Sequence, residues 1–274
     1  MKTIVVATDF SPASTNATHY AVELAKAIGA EIILFHAYQI PVSYSEVPVA
    51  FNLDDLRHDA EKHIGQALQQ LKEYAGGKVT IRSECRIGDF YSELKDLCDE
   101  VKPYTVVIGA QGKTAAARFL FGSHTVNAMK HLPWPLIAVP ASAKFGSIKK
   151  IGLACDLEKV VETIPDKELK MLVGDFNAEL HVLHTGAYKE FSPETVFESG
   201  LLQEMIGNLN PTYHFIKADD VDEGILDFTE KNNIDLLIVL PRRHKLIEML
   251  THRSHTKKLV LHSEVPVMAL HQEQ

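Results

Sequence analysis

Glycine and hydroxyl residues in the first half of the chain have the spacing of a phosphate-binding loop. Gly109, Gly112 and Gly122 form the pattern G-x2-G-x9-G-S, which ends at Ser123. Glycine lets backbone N–H groups come close to an anion because no Cβ lies in the way. The pattern begins after an apolar, strand-like run and leads into a helix-like segment, and a helix N-terminus offers unpaired N–H groups. This order predicts an anion site.

Polar side chains next to the loop add hydrogen-bond donors. Ser123 and Thr125 carry hydroxyl groups, and His124 lies between them. The loop is not of the Walker type, because no Gly-Lys-Ser/Thr closes it.

The chain reads as two copies of one domain. We predict a first domain over residues 1–143 and a second over 147–274, joined by a small, polar stretch. The second copy is shorter, and we expect the lost residues between its second and third strands. The similar pairs of segments are 4–9 with 151–156, 31–37 with 179–185, 104–108 with 235–239, and 135–139 with 266–270.

Each copy alternates apolar strands with amphipathic helices, which predicts an α/β fold with a doubly wound parallel sheet. In the common strand order 3-2-1-4-5, the first and fourth strands are neighbours, so Asp9 and Gly109 would border one ligand-binding crevice. In the first copy we expect strands near 3–8, 31–37, 78–86, 104–109 and 136–139, and helices near 13–28, 53–75, 90–101 and 124–132.

Composition excludes several function classes. The formal net charge is −8 and no basic run of the nucleic-acid-binding type occurs, which disfavours nucleic-acid binding. No apolar run is long enough to span a bilayer, and the N-terminal run reads as a buried strand rather than a signal peptide. The three cysteines show no C-x-x-C pairing and fit a reducing compartment, so we expect a cytoplasmic protein without a membrane partner.

Together these residues resemble the universal stress protein family, as a tandem two-domain member. The resemblance rests on the glycine pattern, on the opening V-V-A-T-D-F-S at residues 5–11, on a second strand that ends at His36, and on Gly88 before the third helix. It implies two five-stranded sheets of the adenine nucleotide alpha hydrolase type. It also implies that the fifth strands of the two copies pair, which makes the chain a pseudo-dimer.

The resemblance further implies that the first domain binds ATP. Asp9 would also hold Mg²⁺ or Mn²⁺, since such cations prefer oxygen ligands. The implied nucleotide-binding residues are Ala7, Thr8, Asp9, Ala37, Ile108, Gly109, Gly112, Gly122, Ser123, His124 and Thr125.

The second copy departs from the pattern. Leu240, Arg243 and Arg253 replace the three glycines, and only Ser254 is kept. We therefore predict that the second domain does not bind ATP in the family manner. The nearby basic residues favour a solvated loop, with anion binding as the alternative, and a zinc site at His252 and His255 is disfavoured. These basic residues are Arg242, Arg243, His244, Lys245, Arg253 and His255.

Three functions remain in competition. The favoured one is an ATP-binding regulatory or stress-response protein with an unknown protein partner and at most slow hydrolysis, because no nucleophile elbow or general base stands out. The second is an enzyme, either a slow ATPase or a transferase similar to the nucleotide alpha hydrolases of the same general fold. The third is a nucleotide-independent scaffold or small-ligand binder that acts through the second domain. His36 and His184 are interpreted as hydrogen-bonded structural histidines. The sequence leaves open whether the whole chain forms a homodimer.

Overall fold

The computed structural model describes residues 1–39, 53–110, 122–185, 193–241 and 255–272. The first half contains β1 (Thr3–Ala7), α1 (Pro12–Ile28), β2 (Glu31–Tyr38), α2 (Leu53–Ala75), β3 (Ile81–Ile87), α3 (Phe90–Val101), β4 (Thr105–Ala110), α4 (Gly122–His131) and β5 (Leu136–Pro140). The second half contains β6 (Lys150–Ala154), α5 (Val160–Thr163), α6 (Asp166–Phe176), β7 (Glu179–Thr185), α7 (Pro193–Ile206), a 3-10 turn (Gly207–Leu209), β8 (Thr212–Ile216), α8 (Val221–Lys231), β9 (Leu236–Val239), α9 (His255–His262) and β10 (Val267–Ala269).

The ten strands of the described residues form one sheet in the order β3-β2-β1-β4-β5-β10-β9-β6-β7-β8. Each half is parallel and has the predicted order 3-2-1-4-5. The halves meet where β5 and β10 pair antiparallel, with Ile137 opposite Met268. The predicted α/β pseudo-dimer is therefore confirmed, and the pairing covers the edge that each fifth strand would otherwise expose.

The sheet is buried on both faces, as its nearly continuous apolar strands predict. One apolar cluster contains residues from both halves, including Val139 of β5 and Met268 of β10. A second cluster, on the face covered by α3, α4, α8 and α9, joins Met129 and Val260. The core is thus continuous across the junction between the halves.

The first helix begins and ends where the sequence signals place it. Ser11 caps α1 by accepting a hydrogen bond from the backbone N–H of Ser14, and Gly29 ends the helix with φ +66°. The connection between the second and third strands covers 39–80 in the first half and only 186–211 in the second, where the shortening was expected. In the described part of the chain, no helix combines the length and the hydropathy needed to cross a membrane.

Candidate functional site

A cavity of about 310 Å³ lies at the carboxyl ends of β1, β2 and β4. It sits where the strand order reverses, which is the usual ligand site of such sheets. Gly122 and Ser123 form the first turn of α4, whose following residues reach the cavity. Gly112 lies outside the described residues. The sequence-predicted residues that line the cavity are Ala7, Thr8, Asp9, Ala37, Ile108, Gly109, His124 and Thr125.

The packing of α1 against β4 requires a glycine at position 109. A Cβ at this position would lie 2.8 Å from the carbonyl oxygen of Ala13 and 3.0 Å from the backbone nitrogen of Ser14. Both atoms belong to the backbone of α1, so they cannot rotate away as a side chain would. The glycine therefore lets the start of α1 pass directly over the end of β4, which shapes one wall of the cavity.

Asp9 is held in a tight turn after β1. Its Oδ1 accepts a hydrogen bond of 3.0 Å from the backbone N–H of Ser11. The turn requires Phe10 to adopt φ +64°, a left-handed conformation that is uncommon for a bulky residue. Thr8 supports the turn, because its Oγ1 accepts a hydrogen bond from the N–H of Phe10. The carboxylate is thereby fixed at the mouth of the cavity.

Ala37 presents to the cavity backbone groups that have no backbone partner among the described residues on that side. The ladder between β1 and β2 ends at the pair Ala7 and Phe35, and the Phe35 carbonyl accepts a hydrogen bond of 2.9 Å from the N–H of Thr8. Peptide groups two residues apart on a strand face the same side, so Ala37 also faces the side of β1, beyond the strand's end. No backbone hydrogen bond within the described ranges reaches Ala37 there. As far as the described residues go, its N–H and C=O can therefore meet a ligand.

His36 has a structural hydrogen bond. Its Nδ1 lies 2.8 Å from the carbonyl oxygen of Thr8, so Nδ1 carries the proton that is donated. The Phe10 ring lies against the imidazole, with ring centroids 4.5 Å apart. Burial is the largest cause that lowers the pKa of His36 below its ordinary value of 6.5. The folded protein therefore favours the neutral ring.

This pKa shift predicts a pH dependence of stability. Because the folded pKa is lowered, the stability that neutral His36 contributes is complete above pH 6.5 and is lost as pH falls through the folded pKa. We expect the unfolding free energy of His36→Asn to fall less between pH 7 and pH 5 than that of the wild type, since asparagine does not titrate. Urea unfolding at several pH values measures this, with His58→Gln on the exposed side of α2 as the control. An unchanged pH slope in His36→Asn would contradict the assignment.

The start of α4 is tied to the end of β4. The Thr125 hydroxyl donates to the carbonyl oxygen of Gly109 at 3.3 Å, and Thr125 is buried. This hydroxyl proton is thus engaged, so a donation from Thr125 to a phosphate would come from its backbone N–H. His124 packs edge-on against the ring of Phe90, with centroids 5.6 Å apart.

Phe90 and Ser14 line the cavity although the sequence analysis did not select them. Phe90 begins α3, after the N-cap residue Asp89. In a parallel α/β sheet every helix begins at the edge where the strands end, so a residue that directly follows an N-cap is a candidate for the site. Phe90 has this position, because it directly follows Asp89. Ser14 lines the cavity because α1 passes close to Gly109. No pattern of neighbouring residues predicts that approach.

The second half repeats the turn that follows the first strand. The N–H of Cys155 donates to the Leu183 carbonyl, as Thr8 does to Phe35. His184 Nδ1 lies 3.1 Å from the Cys155 carbonyl oxygen, and Asp156 Oδ1 accepts from the N–H of Glu158. His36 and His184 therefore have the same structural contact, in agreement with the interpretation of both as structural.

Beyond this turn the two halves differ. The second half inserts the short helix α5, so that its next helix, α6, begins only at Asp166. Leu157 and Val160 are fully buried in this stretch, and Leu240, at the position of Gly109, packs on the same apolar cluster. Apolar side chains thus follow the ends of β6 and β9 in the second half. The other residues that replace the loop, 242–254, lie outside the described residues.

Carboxylates surround the start of α9, which corresponds to α4. His255 Nδ1 lies 2.7 Å from Oδ1 of Asp222, which is buried. Lys258 Nζ lies 2.8 Å from Asp220 and 3.4 Å from Asp222, and its hydrogen bond lowers the pKa of Asp220 to about 2. His252, which belonged with His255 to the disfavoured zinc site, lies outside the described residues. Within those residues no group of three metal-binding side chains occurs.

Comparison with known proteins identifies the family of this fold. A sequence profile of the universal stress protein family matches residues 1–140 and 149–271. The chain belongs to the universal stress protein family. Both halves match, as the internal repeat and the continuous ten-stranded sheet lead one to expect.

Relatives match one half or the whole chain. Universal stress protein MJ0531 of Methanocaldococcus jannaschii is 28% identical over 145 residues, which are 52% of this chain and 84% of that protein. A universal stress protein from Archaeoglobus fulgidus is 18% identical, covers 99% of this chain and 98% of its own, and has a TM-score of 0.74. A universal stress protein crystallised with cAMP is 24% identical and covers 51% of this chain and 97% of its own, with a TM-score of 0.37. The full-length match supports the tandem fold alone.

Proposed function

We propose that this universal stress protein binds one ATP molecule per chain, in the cavity of its first half, and acts as a nucleotide-dependent regulator. The observation that carries the proposal is the convergence of the Ala37 backbone, Asp9 and the start of α4 on one cavity at the switch point of the sheet. Its volume lies at the lower end of the roughly 300–1,000 Å³ typical of ligand pockets.

The adenine and the ribose are assigned to the β2 and β4 side of the cavity. The N–H and C=O of Ala37 can donate to and accept from the edge of a purine. Ile108 offers an apolar surface beside Gly109, where no side chain hinders the approach of the ribose and the first phosphate. Backbone recognition of this kind selects a base by its donor and acceptor pattern.

The phosphates are assigned to the start of α4 and to the glycine loop. Gly122 and Ser123 supply backbone N–H groups at a helix N-terminus, where the dipole favours an anion. Asp9 would hold a divalent cation, which supplies charge neutralisation between the carboxylate and phosphate oxygens. Because the described residues offer no group of three metal-binding side chains, most of the cation's ligands would come from the nucleotide and from water.

The second half is proposed not to bind ATP. Leu240 stands where the first half has Gly109, and Leu157 and Val160 are buried beyond the end of β6, so we expect apolar side chains to take the space that the cavity has in the first half. Displacing them would expose buried apolar surface. At the corresponding helix start, Asp220 and Asp222 already engage Lys258 and His255, so neither of these side chains is free to hold a phosphate. Both features lie in described residues, and both disfavour nucleotide binding in the second half.

A regulatory role fits this site better than catalysis does. Phosphoryl transfer needs an oriented nucleophile, and His36, which lines the cavity, uses Nδ1 to hold Thr8. ATP instead would favour the arrangement in which α4 and the turn at Asp9 close on it, and that arrangement would present a different surface to a protein partner. Hydrolysis, where it occurs, is proposed to be slow.

Titration calorimetry of the full-length protein tests this proposal. With ATP and Mg²⁺ we expect a stoichiometry of one and weaker binding of AMP, which lacks the phosphates that contact α4. A GTP titration tests the base, because guanine presents a different donor and acceptor pattern to Ala37. No heat with ATP, or a stoichiometry of two, would reject the proposal in its present form.

Ala37→Pro tests backbone recognition directly. Proline removes the N–H that faces the cavity and puts its ring Cδ in that place. No described strand uses this N–H, so the sheet should tolerate the substitution as it tolerates proline at an open strand edge. We expect ATP affinity to fall about tenfold, equivalent to about 1.4 kcal/mol, which is the net value of one hydrogen bond. Ala37→Val, which keeps the N–H, is the matched control. Equal ATP affinity in the two variants would show that this N–H is not used.

A further inference from the structure

The helix that begins at the nucleotide site is anchored by the second half of the chain. α4 packs against α9 and β10, and Ala128 and Met129 of α4 are fully buried in one apolar cluster with Val260 and Ala269. The same helix presents His124 to the cavity at its other end. Any contact that fixes the buried end of α4 therefore also sets the position of its first turn.

One backbone group on α4 needs a partner from outside the helix. The carbonyl of Met129 would accept a hydrogen bond from the backbone N–H four residues later, but that residue is Pro133, which has no N–H. A buried carbonyl without a partner is costly, because it has lost its hydrogen bonds to water. His271, which follows β10, meets this need: its Nε2 lies 3.1 Å from the Met129 carbonyl oxygen.

The two halves differ in a complementary way at this contact. Pro135 and Pro266 are equivalent in the repeat, so His271 stands where the first half has Pro140, and Glu264 stands where the first half has Pro133. The proline that removes the donor from the end of α4 is thus matched by a histidine on the other half. Since a carbonyl only accepts, Nε2 of His271 carries the proton, and the buried ring is held as a donor.

We propose that His271 is a positioning residue through which the second half controls the nucleotide site of the first. It holds the carboxyl end of α4 against β10 and thereby fixes the first turn, which meets the phosphates. This inference rests on the proposed ATP site for its effect on binding, but the anchoring of α4 can be measured without nucleotide. The second half would then act as a built-in regulatory subunit rather than as a second binding site.

The experiment compares His271→Ala, His271→Gln and Gln272→Ala in the full chain. Glutamine places a donor near the position of the histidine Nε2. Gln272 is the matched control because its side chain bonds to the Val161 carbonyl, within the second half. Hydrogen exchange of α4 amides is measured without ligand, and the ATP dissociation constant is measured by calorimetry.

We expect α4 amides to exchange about tenfold faster in His271→Ala, and ATP affinity to fall about threefold to tenfold, since one buried hydrogen bond is lost. His271→Gln should restore both, and Gln272→Ala should change neither. Unchanged exchange of α4 in His271→Ala, or faster exchange with unchanged ATP affinity, would overturn the inference while leaving the ATP site intact. Absence of ATP binding in the wild type would reject the proposed function, and the exchange comparison would still decide whether His271 anchors α4.

Discussion

Replacing Gly122 with arginine is expected to abolish ATP binding while the fold is retained. Gly122 is the first residue of α4, and the corresponding residue of the second half is Arg253. An arginine side chain at this point would occupy the space in which backbone N–H groups meet the phosphates. We expect a loss of affinity of at least about 100-fold, or about 2.8 kcal/mol, by calorimetry.

The control for this variant is Gly146→Arg, which adds the same side chain in the linker. A Cβ at Gly146 meets no atom within 4 Å, so the substitution should not disturb the protein. Gly146→Arg should unfold within about 2 °C of the wild type, as expected for a surface change in a chain of this size. Gly122→Arg should keep the fold, because the second half has an arginine at the corresponding position. ATP affinity that survives in Gly122→Arg would remove the glycine loop from the site.

Gly109→Ala should weaken both stability and ATP binding. The new Cβ would lie 2.8 Å from the Ala13 carbonyl oxygen, so the start of α1 must move away from β4. We expect the unfolding free energy to fall by about 1–3 kcal/mol, which is typical of overpacking a close contact. ATP affinity should fall as well, because the displaced turn carries Ser14, which lines the cavity. Urea unfolding and calorimetry measure the two effects.

Gly65→Ala separates this packing effect from the general effect of removing a glycine. Gly65 lies on the exposed side of α2, where a Cβ meets nothing within 4 Å. The substitution should raise stability by about 0.5–1 kcal/mol, because alanine is the better helix former. If Gly109→Ala were as stable as the wild type, the close approach of α1 and β4 would not be the reason for the glycine.

The order of the elements could be predicted from the sequence because the determinants are local. Apolar strands that are buried on both faces, a serine cap at Ser11 and a terminal glycine at Gly29 are all read from neighbouring residues. The internal repeat then added long-range information, since two copies of one pattern imply one topology. The pairing of β5 with β10 followed from the family resemblance and from the open edges that two separate sheets would have had.

The features that local patterns did not reveal depend on contacts between distant segments. The packing reason for Gly109 requires knowing that α1 crosses β4, and the bond from His271 to Met129 joins residues on opposite halves. The insertion of α5 was also missed, because the sequences of β6 and the following turn still match those of the first half. The glycine pattern indicated the location of the site, but its backbone geometry came only from the structure.

The most direct test is a crystal structure of the full chain grown with excess ATP and Mg²⁺. We predict a nucleotide in the cavity of the first half, with its base at Ala37 and its phosphates at the first turn of α4, and apolar side chains at the equivalent place in the second half. An empty first cavity in such crystals, or nucleotide bound in the second half, would contradict the account.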